Sequence, residues 1–208
     1  MRLVLVGPPA SGKGTQAASL CDRLRVPKIS TGDMLRAARA AGTPLGVAAD
    51  RFMSAGKLVP DEVVIGLVDE RLDAEDARAG FILDGFPRTV PQAESLSGLL
   101  ARRGQVLDAV VQIDVPRGLL VERATLRRTD KRTGQIYHLK YNPPPPDAVL
   151  EHRADDREET VAKRLDEYEA MTAALLPHYD QQGLLRRVDG VGKPAEVFAR
   201  ILQALGIQ

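Results

Sequence analysis

Residues 7–15 read Gly7-Pro8-Pro9-Ala10-Ser11-Gly12-Lys13-Gly14-Thr15 and follow the short apolar run Leu3-Val4-Leu5-Val6. A chain that must turn here on three glycines, straight from a buried strand into a helix, has few folds open to it. The glycines let successive N–H groups and the helix N-terminus converge on one point, which is how a backbone holds phosphate oxygens. Lys13 adds a mobile positive charge for the outer phosphates of a nucleoside triphosphate. The bland alternative is a Gly-rich turn with no ligand; the G-x4-G-K-G-T string in a strand-to-helix context favours the phosphate-binding loop. The commoner form of the motif has Ser or Thr directly after the lysine. Here Gly14 precedes Thr15, which makes the usual assignment of that hydroxyl to Mg²⁺ less secure.

Further apolar runs recur at Phe81 to Leu83, Ala109 to Ile113 and Leu184 to Val188, with helix-length segments between them. That rhythm predicts a doubly wound parallel sheet in an α/β fold. A helix is expected from about Thr15 to Leu24, then a short strand around Lys28 to Ser30, then a helix starting at Thr31-Gly32-Asp33 with Ser30 or Thr31 as its cap. Residues 30–59 read as short helices broken at Gly42-Thr43-Pro44 and at Gly56, before Pro60-Asp61-Glu62 opens the next helix. Pro116 opens another, to about Thr125. Residues 126–156 lack helical period and carry a hairpin signal at Thr133-Gly134, a strand over Gln135 to Lys140, and four prolines at 143–146. From Arg157 a long amphipathic helix is expected through Val161, Leu165, Tyr168, Thr172, Leu175 and Tyr179, its end bent by Pro177.

At 208 residues the chain suits one α/β domain with a small insertion. A formal net charge of +1 speaks against a general nucleic-acid or membrane-surface protein, and four Phe, four Tyr and no Trp speak against base-stacking platforms. The single cysteine, Cys21, shares an apolar helix face with Ala17, Leu20 and Leu24 and reads as core packing. The N-terminal apolar run is too short for a signal segment, and no stretch approaches the ~20 apolar residues of a membrane span, so a cytoplasmic protein is expected.

The second motif, Phe81-Ile82-Leu83-Asp84-Gly85-Phe86-Pro87-Arg88-Thr89, ends an apolar strand in an acid and a tight turn carrying arginine. Ligands of open α/β sheets bind at such carboxyl ends, and Asp84 there can hold Mg²⁺ through water; otherwise it caps the next helix. Between residues 121 and 140, Arg123, Arg127, Arg128, Lys131, Arg132 and Lys140 outnumber Glu122 and Asp130. Alone this is a solvated basic face; beside a phosphate loop it becomes a set of anion forks. Many arginines, one lysine and Mg²⁺ without an evident base fit phosphoryl transfer to another phosphate. The acceptor oxygen is already ionised near neutral pH, since the second phosphate pKa is about 6. His138, His152 and His178 are then not needed as catalysts and read as surface or lid structure.

With Ser30-Thr31-Gly32-Asp33-Met34-Leu35-Arg36, Tyr137-His138, Asn142-Pro143-Pro144 and Asp155 to Leu165 added to the two motifs, the chain resembles bacterial adenylate kinases over nearly its full length. The resemblance implies a P-loop NTPase-type doubly wound parallel sheet with a helical nucleoside-monophosphate-binding segment at 30–59 and a lid inserted at 126–156. Residues 1–29, 60–125 and 157–208 would form the core. It further implies that Ala10, Ser11, Gly12, Lys13, Gly14, Thr15, Arg123, Arg127, Ile136, Tyr137 and Gly192 bind ATP. Thr31, Arg36, Lys57, Leu58, Val59, Gly85, Phe86, Pro87, Arg88, Gln92, Arg153 and Arg164 would bind AMP, with Gln92 as adenine reader. Lys13, Arg88, Arg123, Arg127, Arg153 and Arg164 would carry catalysis, Asp84 would hold Mg²⁺, and Phe86-Pro87 would be cis. Gly192 stands where some relatives have a larger residue, so only a backbone contact carries over. Some relatives bind zinc in the lid through four ligands, mostly cysteines; Asp130 and Thr133 stand where the first pair would lie, so no zinc is expected.

The implied activity is ATP + AMP to 2 ADP, in adenine nucleotide homeostasis and salvage, by a monomer with no nucleic-acid or membrane partner. A UMP/CMP-type kinase is the nearest alternative; Thr89 and Gln92 favour adenine, because pyrimidine kinases usually place Asn just after the arginine. A nucleotide-dependent switch without turnover is the alternative of another class. A second phosphate site at Arg36 and Arg88 argues against it.

Overall fold

The computed structural model describes residues 1–55 and 57–207, so the expected break at Gly56 lies outside the described residues. The chain runs β1 (Arg2–Val6), α1 (Lys13–Leu24), β2 (Lys28–Ser30), α2 (Thr31–Ala40), α3 (Pro44–Ser54), α4 (Asp61–Leu72), β3 (Phe81–Asp84), α5 (Val90–Arg102), β4 (Ala109–Asp114) and α6 (Arg117–Thr125). It continues through β5 (Arg127–Asp130), β6 (Ile136–His138), β7 (Leu150–Glu151), α7 (Glu158–Glu167), α8 (Leu175–Gln181), β8 (Leu185–Asp189) and α9 (Pro194–Leu205).

Five parallel strands form the central sheet in the order β2-β3-β1-β4-β8. The strands are apolar on both faces because both are covered. Val4, Val6, Phe81, Leu83 and Val110 face one buried cluster, with α4 and α5, and Leu3, Leu5, Ile82, Val111 and Ile113 face the other, with α1 and α9. Each such side chain, removed fully from water, contributes about 1.5–3 kcal/mol. The chain winds to one side of β1 through β2 and β3, then crosses to the other through β4 and β8. The carboxyl end of β1 therefore lies at a topological switch point, where open α/β sheets leave a crevice.

Local chemistry sets the ends of the elements. Ser30 caps α2, its hydroxyl accepting from Asp33 N at 3.3 Å, and Thr43 caps α3 by accepting from Gly46 N at 3.1 Å. At Gly46 a Cβ would lie 2.2 Å from the backbone of Ala38 and Arg39, so α2 and α3 touch main chain to main chain. Cys21 is half-buried against the α1 and α9 side of the core, as its apolar helix face predicts.

The expected single helix after Arg157 is interrupted. α7 gives way to a π-helical turn at Tyr168–Thr172, and α8 begins only at Leu175. Pro177 has no N–H, and its ring excludes the carbonyl of Ala173 from a regular helical turn, so the break falls upstream of the proline. The apolar spacing hides it, because Leu165, Thr172, Leu175 and Tyr179 are buried on both sides of the interruption.

Residues between α6 and α7 build a separate antiparallel sheet, β6-β5-β7. The strand expected over 135–140 pairs only at Ile136–His138. His138 Nδ1 accepts from Lys140 N (3.2 Å) and Tyr141 N (3.1 Å), which folds the chain back and pairs His138 with Asn142. Glu122 of α6 ties this turn to the core, receiving Lys140 Nζ at 2.7 Å and the Tyr141 hydroxyl at 2.9 Å. Among the described residues no helix is long and apolar enough to cross a membrane.

Candidate active site

The β1–α1 loop is shaped by residues that accept unusual backbone angles. Gly7 has φ +158°, and a Cβ there would sit 2.7 Å from the Ile113 carbonyl oxygen and 2.8 Å from Ser11 Oγ. Gly12, at φ +98°, forms the N-cap of α1. Ala10 is left-handed at φ +63° without being glycine, a strained conformation of the kind that persists where a functional loop is over-determined. Lys13 Nζ donates to the carbonyl oxygens of Gly7 and Pro8, both at 2.8 Å, and so spans the loop.

The loop opens on one cleft of about 1210 Å³, more than the 300–1,000 Å³ common for a single small ligand. Of the site residues expected from sequence, all but one line it. The exception is Phe86, which is fully buried in the core cluster beside α4 and α5. It anchors the turn after β3 from behind instead of facing a ligand. The Phe86-Pro87 bond is cis, as the resemblance implies.

That turn is built around the Gly85 carbonyl, which accepts from Thr31 Oγ at 2.9 Å and Arg88 Nε at 2.8 Å. Gly85 sits at φ +83°, where a Cβ would press on Thr31 Oγ and on a terminal nitrogen of Arg88, each at 3.1 Å. Arg88 N donates to Gln92 Oε1 (2.7 Å), Gln92 Nε2 donates to Asp61 Oδ1 (2.6 Å), and the Thr89 hydroxyl donates to Asp61 Oδ2 (2.9 Å). Thr89, not Asp84, caps α5, accepting from Gln92 N at 3.3 Å. Asp84, the last residue of β3, turns its carboxylate to the loop, with Oδ2 3.6 Å from where a Cβ on Gly14 would be.

Cations reach the cleft from several elements. Arg36 on α2 is paired with Asp33, which also holds Lys28 at 2.8 Å. Arg123 on α6 donates to the Gly190 carbonyl at 3.1 Å. Arg127 on β5 forks onto the fully buried Asp156, and Arg164 on α7 donates to the Asp155 carbonyl (3.1 Å) and carboxylate (3.0 Å). Arg153, just before the turn at Ala154–Asp156, accepts from Asp156 N at 3.0 Å through its carbonyl, and the residue lines the cleft.

Burial and mutual repulsion make the charges of Lys13, Arg88, Arg153 and Arg164 hard to hold. Burial pulls Lys13 down to about 8, opposed by Asp84 and assisted by Arg88, Arg164 and Arg127. Burial, with Arg164 next, takes Arg88 down to about 10. Arg153 and Arg164 are lowered too, again mainly by burial. Arg127 alone goes the other way: burial opposes its charge, but the hydrogen bonds to Asp156 raise it. Desolvated cations aimed at one space, with too few acids to neutralise them, form a site for polyanions.

Several lining residues were not singled out from the sequence as ligand contacts. His138 holds the turn of the inserted sheet through Nδ1, as a structural histidine should, and also lines the cleft. Glu167 and Tyr168 line it from the end of α7, and Asp61 reaches it only through Gln92. Nothing local marks them, because their roles depend on where α4, α7 and the inserted sheet pack. Asp130 and Thr133 accept backbone N–H groups of their own turn, from Arg132 at 2.9 Å and Gln135 at 3.2 Å. Among the described residues no group of three or more His, Cys, Asp or Glu could hold a metal ion.

A parallel sheet with a glycine-rich phosphate loop at its switch point defines a P-loop NTPase-type α/β protein. Residues 5–184 match the family model of adenylate kinase. The chain is 64% identical to an adenylate kinase of Sorangium cellulosum, with 99% of this chain and 97% of that protein covered. It is 54% identical to one of Moorella thermoacetica (99% and 98% covered) and 50% identical to one of Carboxydothermus hydrogenoformans (99% of each). The chain belongs to the adenylate kinase family.

Proposed function

We propose that this protein catalyses reversible phosphoryl transfer between ATP and AMP to give two ADP, as a monomer in the cytoplasm. The observation that carries this reading is the convergence of Lys13, Arg36, Arg88, Arg123, Arg127, Arg153 and Arg164 on one cleft roomy enough for two nucleotides. A protein that held a single nucleotide would not need cations at both ends.

In this reading residues 30–59 form the acceptor-binding segment and residues 126–156 the lid. The N–H groups of Ala10 to Thr15 hold the donor phosphates, with Ile136, Tyr137 and Gly192 about the donor base and ribose. Thr31, Arg36, Lys57 to Val59, Gly85 and Arg88 hold AMP, and Gln92 meets its adenine. An acceptor phosphate oxygen forms the new bond to the γ-phosphorus as the bond to the β-bridging oxygen breaks, and the departing ADP keeps that electron pair. No base is required, because the attacking oxygen is already ionised. The barrier lies in aligning two polyanions and stabilising charge on the transferred group, the task of Lys13, Arg88, Arg123, Arg127, Arg153 and Arg164. Lid closure would exclude water and suppress ATP hydrolysis.

Mg²⁺ fits the donor set: Asp84 offers a hard carboxylate oxygen beside the loop, and Mg²⁺ commonly takes one or two carboxylates plus waters and substrate phosphates. Asp84 would hold it through water, and the ion when bound would neutralise phosphate charge.

The decisive experiment is a panel of initial velocities with ATP and Mg²⁺ against AMP, UMP, CMP and GMP, using catalytic amounts of protein. AMP should be fastest by a wide margin. Faster turnover of a pyrimidine acceptor would overturn the assignment, and stoichiometric binding without turnover would support a switch instead.

The lowered Lys13 gives a pH dependence with a definite sign. Only the protonated amine supplies positive charge, so kcat/KM for ATP should fall as pH rises through about 8. The limiting slope should approach about tenfold per unit. Bound triphosphate brings negative charge that draws the proton back, so kcat at saturating ATP should stay level to higher pH. A profile from pH 7.5 to 9.5 reads both; level kcat/KM throughout would exclude Lys13 as the titrating group.

A further inference from the structure

We propose that Asp61 is a specificity-determining residue for the acceptor base, acting by locking the orientation of the Gln92 amide. The proposal rests on the reading of Gln92 as the residue that meets adenine.

A glutamine amide presents an acceptor at one end and a donor at the other, and a half-turn about its last bond exchanges them. Gln92 is 98% buried, with a relative exposure of 2%, and each end meets a group of fixed polarity. Arg88 N can only donate, so it selects the oxygen, at 2.7 Å. The Asp61 carboxylate can only accept, so it selects the nitrogen, at 2.6 Å. Asp61 is itself held, since its other oxygen takes the Thr89 hydroxyl at 2.9 Å while Thr89 Oγ accepts from Gln92 N. Flipping the amide would set donor against donor at Arg88 and acceptor against acceptor at Asp61.

The amide has a second N–H and a second oxygen lone pair for a ligand. In the locked orientation the oxygen accepts from the exocyclic amine of adenine while the nitrogen donates to a ring nitrogen, the pairing a glutamine makes with adenine. Hypoxanthine carries a carbonyl where adenine carries the amine, and would meet the wrong end. A freed amide could turn to receive it. Asp61 touches no substrate in this scheme; it is a positioning residue, placed at the start of α4 immediately after the Lys57 to Val59 stretch that lines the cleft.

The test compares AMP with inosine 5′-monophosphate as acceptors, at saturating ATP and Mg²⁺, in the wild-type protein, Asp61→Asn, Asp61→Ala, Gln92→Ala and the double variant D61N/Q92A. Asp61→Asn should raise KM for AMP about tenfold with a smaller change in kcat, and lower the AMP-over-inosine ratio of kcat/KM about tenfold. Asp61→Ala should move the ratio in the same direction, which keeps the test open if one variant folds poorly. On the Gln92→Ala background the Asp61 substitution should change the ratio no further. A general loss of packing would slow both acceptors alike and leave the ratio where it was. If Gln92→Ala lowers the ratio and both Asp61 variants preserve it, the Asp61 proposal is overturned; if Gln92→Ala itself preserves it, the reading of Gln92 fails instead.

Discussion

Arg88→Lys should fold normally and turn over about 10³-fold more slowly or worse, a loss of roughly 4 kcal/mol or more in transition-state stabilisation. Arg88 is anchored by Nε on the Gly85 carbonyl, which leaves its terminal nitrogens for the cleft. A lysine would lose the anchor and the planar fork together. It would also struggle to keep its charge: burial and neighbouring cations already take Lys13 to about 8 in the same cleft, and the arginine to about 10. Steady-state kcat at saturating ATP and AMP, beside a thermal melt, measures the two effects separately. Near-normal kcat in a folded variant would remove Arg88 from the transfer step.

Lys13→Ala should be comparably damaging, about 10³-fold in kcat/KM for ATP, because the charge nearest the loop's phosphate position disappears. The effect on the empty protein should be small. Removing the amine takes a donor from the Gly7 and Pro8 carbonyls, the second of which keeps the Ser11 N–H at 3.2 Å, but it also removes a buried cation crowded by Arg88, Arg164 and Arg127. These oppose one another, so the melting temperature should hold within about five degrees. A variant with an intact melt and an intact rate would take the loop out of the chemistry. A collapse of the melt would instead identify Lys13 as chiefly a staple of the loop.

Much of the molecule is legible from local pattern. The strand Lys28–Ser30, the Ser30 cap, the break before Pro44 and the acid at the end of β3 all follow from residues within one turn of where they act. What escapes is set by packing. The spacing from Val161 to Tyr179 reads as one helix because Val161, Leu165, Leu175 and Tyr179 are indeed buried, and only Pro177, whose ring cannot sit inside a regular helix, marks the break. Gln135 to Lys140 has strand composition throughout, yet His138 accepts two backbone N–H groups and turns the chain early. Phe86 lies between two residues that line the cleft, Gly85 and Pro87, and still packs into the core, which its neighbours in sequence do not reveal. Asp61 reads as a good first-turn acid for α4; its bond to Gln92 spans 31 residues and has no local signature.

The contact at Gly46 bears on how the acceptor segment can move. Where two helices meet main chain to main chain, with no room even for a methyl group, neither can slide along or roll over the other. α2 and α3 therefore behave as a single plate whose internal spacing is fixed. Any displacement of that plate must be taken up where it joins the sheet, at the Ser30–Thr31 step and in the Lys57 to Pro60 stretch leading to α4. Tolerance for different acceptors would then be governed by the stiffness of two joints, so exchanging surface residues on the plate should shift its position without altering its shape.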